Sequence, residues 1–141
     1  MYNIFGDKMQ ELLINWYKEN KRNFPWRINN DPYRIWISEI MLQQTTTEAV
    51  IPYFNRFMNK YPDIYSLSLA SIDDIYKLWE GLGYYRRAKH IYETAQILHE
   101  KYNDQFPTDF NDVLSLKGIG MYSAGAICSI AYQQETPSVD G

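Results

Sequence analysis

Apolar residues recur along the chain at three- and four-residue intervals, the period of a helix with one buried face. Met9, Leu12, Leu13, Trp16 and Tyr17 share such a face and predict an amphipathic helix over 7–20. Lys21-Arg22-Asn23-Phe24-Pro25-Trp26-Arg27 breaks it, because Pro25 does not fit a helix interior. Asn30-Asp31-Pro32 is a start signal, a side-chain cap followed by proline at the first helical position. The helix it opens runs from Tyr33 to about Gln43, with Ile35, Trp36, Ile37, Ile40 and Met41 apolar. After a break at Thr45-Thr46-Thr47, Ala49, Val50, Tyr53, Phe54, Phe57 and Met58 form a core stripe ending near Tyr61-Pro62.

Ser71-Ile72-Asp73-Asp74 has the form of a capping box with aspartate in place of glutamate, and its short helix stops at Gly81. Gly83 reopens the chain, and Ala88, Ile91, Ala95 and Leu98 predict a helix from Tyr84 to about Tyr102. Thr108 is the expected cap of a helix from Asp109 to Leu116, and a last helix is expected from Met121 to about Gln133. Between these two, Gly118 and Gly120 flank a lone apolar residue and should turn the backbone tightly. No strand alternation of useful length and no internal repeat is present, so the predicted fold class is all-α.

Composition narrows the class. With 45% apolar and 22% charged residues in 141, the chain can build a real core and is not a disordered tail. No apolar run approaches the roughly 20 residues of a membrane helix, and the first residues lack a secretory signal, so a cytoplasmic protein is expected. The net charge of −3 argues mildly against nucleic acid, but Arg86, Arg87, Lys89 and His90 form a local basic patch that could hold phosphates. The single cysteine, Cys128, lies in an apolar stretch and supports neither a disulfide nor a cysteine-ligated metal site.

Candidate chemistry is sparse. The helix after Gly120 begins with unpaired amides that could bind an anion, and Ala124-Gly125-Ala126 keeps its first turns narrow. An ordinary short helix–helix connection fits the same pattern. Glu39 lies in apolar company on its helix; it belongs either beside Arg34 and Ser38 on a solvated face or at a pocket edge, where desolvation would keep it protonated as a general acid. The aromatic loop carrying Trp26 and Arg27 reads equally as a pocket wall or a packed turn.

Leu116-x-Gly118-Ile119-Gly120 followed by Tyr122-Ser123-Ala124-Gly125-Ala126 resembles the helix-hairpin-helix of base-excision DNA glycosylases related to endonuclease III. Phe24-Pro25-Trp26-Arg27, Ser38-Glu39-Ile40-Met41-Leu42-Gln43-Gln44-Thr45, Gly81-Leu82-Gly83-Tyr84-Tyr85-Arg86 and Val139-Asp140-Gly141 are similar, in order, to segments of the MutY-type adenine glycosylases. The resemblance implies a six-helix barrel domain over 23–133 with the hairpin at 109–133. It assigns 1–22 and 134–141 to a second, iron–sulfur lobe that is incomplete here. It implies removal of adenine mispaired with 8-oxoguanine or guanine, on double-stranded DNA and by a monomer. Glu39 matches the catalytic acid, Asp140 the second catalytic carboxylate, and Tyr122 a tyrosine near the reacting sugar. Gln44 and Tyr84 match residues that wedge into the DNA stack, with Arg86 beside them. Gly118, Ile119 and Gly120 would offer backbone amides to a phosphate, and Trp26, Arg27 and Leu42 match the adenine pocket.

Tyr122 stands where bifunctional endonuclease III enzymes carry the Schiff-base lysine, which implies a glycosylase without strand cleavage. Lys117 stands where relatives usually have proline. Full-length relatives also carry a 4Fe–4S cluster on four cysteines that these 141 residues do not contain, so a fragment is expected. The alternatives are a non-enzymatic helix-hairpin-helix DNA-binding module and a thymine or other mismatch glycosylase.

Overall fold

The computed structural model describes residues 24–133, so the expected helix over 7–20, the segment 134–141 and Asp140 lie outside the described residues. A 3-10 turn, Pro25–Arg27, leads into α1 (Pro32–Leu42). Then follow α2 (Thr47–Lys60), α3 (Ile64–Ser68), α4 (Ile72–Trp79), α5 (Arg86–Tyr102), α6 (Phe110–Leu114) and α7 (Met121–Tyr132). All regular structure among the described residues is helical, as the periodicity predicts.

Helix α1 is the axis of the packing. Asp31 accepts the Tyr33 amide at 2.9 Å and Pro32 occupies the first turn, which starts the helix where the sequence signals it. Tyr33, Ile35, Trp36, Ile37, Ser38, Ile40 and Met41 are all buried, so nearly every face of α1 meets protein. It touches α2 on one side, α7 on another and α5 across the middle. Helix α7 can lie close because Ser123, Ala124 and Gly125 are small and buried in its first turns. Trp36, Trp79, Phe54 and Phe57 fill the centre, each contributing about 1.5–3 kcal/mol by leaving water.

Several boundaries differ from the expectation for local reasons. Helix α3 has no apolar period to announce it; it is fixed by reciprocal bonds between Asp63 and Ser66. Helix α5 begins at Arg86 rather than Tyr84, because Tyr84 takes a left-handed backbone with φ +52°. Helix α6 ends at Leu114, a half-turn early, and its cap is Asp109, which accepts the Asn111 and Asp112 amides, not Thr108. Only one hairpin glycine turns the chain. Gly118 has φ +78°, whereas Gly120 is extended at φ −91° and simply precedes α7.

Candidate functional site

The C-terminal half of α1 separates two clefts. The first has a volume of about 460 Å³ and lies between the 3-10 turn, α1, the threonine loop and the start of α7. Trp26, Arg27, Glu39, Leu42 and Tyr122 all line it, although they come from three separate stretches of chain. Glu39 is half-buried on α1. The solvated-face alternative does not describe it. Ser38 is buried and donates to the Ile35 carbonyl, while Arg34 donates to the Pro25 carbonyl at 2.7 Å and lies 5.2 Å from the Phe54 ring centre.

The aromatic loop turns out to be both pocket wall and packed turn. Trp26 stacks between Phe24 and the edge of Phe54, with ring centres 5.2 and 5.3 Å away, and is only 2% exposed. It therefore shapes the cleft from behind. Tyr122, at 77% exposure, projects from the first turn of α7 at the opposite rim.

The second cleft, about 510 Å³, brings together Gln44, Tyr84, Arg86 and Gly118, with Gln43, Arg87 and His90. Gln44 and Tyr84 are both exposed and both left-handed, at φ +58° and +52°. Non-glycine residues adopt that conformation at a cost of roughly 1–2 kcal/mol, so surrounding contacts must hold them there. Gln43 lines both clefts, and its side-chain amide donates to the Gly118 carbonyl at 3.1 Å and the Ser123 hydroxyl at 3.4 Å.

The basic patch needs one correction. Arg86 and Lys89 are exposed, but Arg87 is buried and cannot meet a phosphate. Its guanidinium donates to the carbonyls of Ile40, Met41, Gln43 and Gly83 and to the Thr45 hydroxyl. Burial lowers its pKa, an effect that Tyr84 opposes, yet arginine stays charged under any ordinary condition. The sequence placed it in the basic patch, although Arg87, Ile91, Ala95 and Leu98 share one face of α5, a spacing that points Arg87 inward.

In the hairpin, Gly118 presses on α5: a Cβ there would lie 2.7 Å from His90 Nδ1. Lys117 pairs with Glu93 of the same helix and clamps the turn. The Ile119 amide corrects the expectation for it. It donates to the Leu116 carbonyl at 3.3 Å and its side chain is buried, so it is engaged within the turn and not offered outward. Gly120 carries no side-chain cap over the start of α7.

These 141 residues do not fit a cysteine-ligated cluster. Cys128 is the single cysteine, it is buried, and burial raises its thiol pKa. Among the described residues no group of His, Cys, Asp and Glu is placed to hold a metal ion. Nor is any described helix long and apolar enough to cross a membrane.

Comparison with known proteins decides the family. The HhH-GPD superfamily base excision DNA repair protein family matches residues 37–141. The chain belongs to that superfamily. This HhH-GPD chain is 47% identical over 132 residues to an adenine DNA glycosylase of Buchnera aphidicola subsp. Schizaphis graminum, covering 93% of the chain and 38% of that relative. Against the human adenine DNA glycosylase it is 39% identical over 154 residues, covering 99% of the chain and 28% of that protein. It thus spans well under half the length of these relatives. Among solved structures, a thermostable thymine-DNA glycosylase superposes with a TM-score of 0.79 at 26% identity, over 94% of this chain and 64% of that one. A non-covalent endonuclease III–DNA complex gives 0.71 at 21% identity, over 94% and 62%, which shows the shared fold.

Proposed function

We propose that this HhH-GPD chain is the base-binding part of a monofunctional adenine DNA glycosylase acting on adenine opposite 8-oxoguanine or guanine. The observation that carries the reading is the convergence of Glu39, Arg27, Leu42 and Tyr122 on one cleft large enough for a flipped base. A second cleft beside it holds Gln44, Tyr84 and Arg86. Identity of 47% to a named adenine glycosylase supports the choice of base.

Cleaving the N-glycosidic bond develops positive charge on the sugar, as in sugar hydrolysis. Glu39, protonated at the half-buried edge of the cleft, donates its proton to a ring nitrogen of adenine. The base leaves with the bonding electron pair. Asp140, ionised, stabilises the cationic sugar until water adds, and Tyr122 lies at the rim near the sugar. The two carboxyl groups therefore need separated pKa values. Gln44 and Tyr84 enter the stack as adenine leaves it, and Arg86 meets the backbone. Gly118, Gly120 and the first amides of α7 face a phosphate. Among the described residues no amine lines the first cleft; Tyr122 is there, and Lys117 is paired with Glu93 outside it.

The proposal extends to a monomer working in the cytoplasm on double-stranded DNA. It assigns 23–133 to a barrel domain, and 1–22 with 134–141 to a second lobe.

The test is single-turnover adenine release from a duplex with adenine opposite 8-oxoguanine. It is run with this chain and with a protein extended to the length of its relatives. Release by the extended protein, abolished by Asp140→Asn, is expected. Adenine left in place by both overturns the assignment. Release of thymine opposite guanine instead would favour the second reading, a thymine mismatch enzyme, which the likeness to a thymine-DNA glycosylase keeps in view.

A further inference from the structure

Gln44 and Tyr84, the left-handed non-glycine residues of the second cleft, sit 40 positions apart in sequence, yet one buried side chain contacts the loops of both. Arg87 Nη1 donates to Met41 O at 2.6 Å, Ile40 O at 3.0 Å and Gln43 O, which gathers carbonyls at and just after the end of α1. Its Nη2 donates to the Thr45 hydroxyl and to Gly83 O, both at 3.1 Å. The guanidinium carbon also lies 5.4 Å from the Tyr84 ring centre and 5.5 Å from that of Trp79. Gln44 is thus bracketed by Arg87 contacts at Gln43 and Thr45, and Tyr84 by contacts at Gly83 and its own ring.

We infer that Arg87 is a positioning residue that locks the Gln44 and Tyr84 loops to one another, so that both enter DNA as one rigid wedge. The inference deepens the proposed function and rests on it for the DNA step. A planar fork with five donors is what the site requires. Lysine would keep the charge but not the simultaneous reach to α1, Thr45 and Gly83. Arg87 touches neither base nor sugar, and its effect passes through the geometry of the two exposed residues. Misplacing such residues by an ångström costs large factors in rate even when affinity holds.

Two measurements on Arg87→Lys test it. The first is amide hydrogen exchange of the DNA-free protein. Exchange should rise in residues 42–46 and 82–86 together while the core of α1, α2 and α5 stays protected. A rise in one loop only, a rise everywhere, or no rise overturns the coupling. The second compares adenine release from the 8-oxoguanine duplex with release from a duplex where adenine faces an abasic site and is already unpaired. The loss on the paired substrate should exceed that on the unpaired one by about 10-fold; equal losses overturn the wedge role. Should Arg87→Lys fail to fold, Thr45→Val, which removes one of the five bonds, is read in the same way with smaller effects. The release assays use the protein extended to the length of its relatives; if its unsubstituted form leaves adenine in both duplexes, the proposed function fails, while the exchange result still decides the coupling.

Discussion

The side-chain amide of Gln43 donates to the backbone carbonyl of Gly118, 75 positions downstream, at 3.1 Å. This bond fastens the end of α1, where the first cleft begins, to the turn of the hairpin. The same nitrogen reaches the Ser123 hydroxyl, so α1, the turn and α7 meet at one residue. Gln43→Leu should lower stability by about 1 kcal/mol and weaken duplex binding, measured by urea unfolding and by titration with DNA. Unchanged stability would show that the hairpin is held by Lys117 and Gly118 alone.

The two hairpin glycines should behave differently. Gly118→Ala meets a left-handed φ of +78° and the His90 ring at 2.7 Å, and should cost about 2 kcal/mol or more. Gly120→Ala is extended and its Cβ would meet nothing within 4 Å, so its cost should stay within about 1 kcal/mol, the difference between glycine and alanine as a cap. Thermal unfolding of the two variants gives the order directly, and equal costs would contradict the turn geometry.

Alkaline stability should depend on two phenols, Tyr33 buried and Tyr132 half-buried. Tyr33 donates to the Tyr61 carbonyl at 2.6 Å, and Tyr132 to the Pro107 carbonyl at 3.1 Å. Burial pushes the Tyr132 pKa up to about 12, with Cys128 and Asp31 adding to it, and drives Tyr33 higher still. A pKa raised on folding gives stability that is fully present below the unfolded value of about 10 and is lost as pH rises through the folded value. The contribution of these tyrosines should therefore be complete and independent of pH around neutrality, and be lost from about pH 10 upward. Tyr33→Phe should cost about 1–3 kcal/mol at pH 7 by stranding the Tyr61 carbonyl, and should flatten the alkaline decline.

Glu39→Gln keeps the shape of a half-buried side chain and removes its acid. Adenine release should fall about 10²–10⁴-fold, with the thermal midpoint nearly unchanged. An unaltered rate would remove Glu39 from the proton transfer and leave the cleft as a binding site only.

Much of this architecture is local, and so was readable in the chain. The period of α1, its Asp31-Pro32 start and the stripe of α2 each depend on residues within a few positions, and they appear where the pattern puts them. Motif likeness carried further: it picked Glu39, Trp26, Arg27, Leu42 and Tyr122 from separate stretches, and they line one cleft. Left-handed Tyr84, the short α3 and the Asp109 cap were not readable, because each rests on one hydrogen-bonding or backbone choice that leaves no period.

From its sequence alone the protein is all-helical and carries a glycine hairpin, a helix-borne glutamate and a basic segment after Gly83. Tertiary structure decided which of these meet. Arg86 and Arg87 are identical neighbours in sequence, yet one faces solvent and the other draws five acceptors from the end of α1 and two loops, because Arg87 shares the inward face of α5 with Ile91. Glu39 likewise became a cleft residue only when the 3-10 turn and α7 closed around α1. Periodicity reports how a residue relates to its own helix; burial and charge partners depend on which helix packs against it.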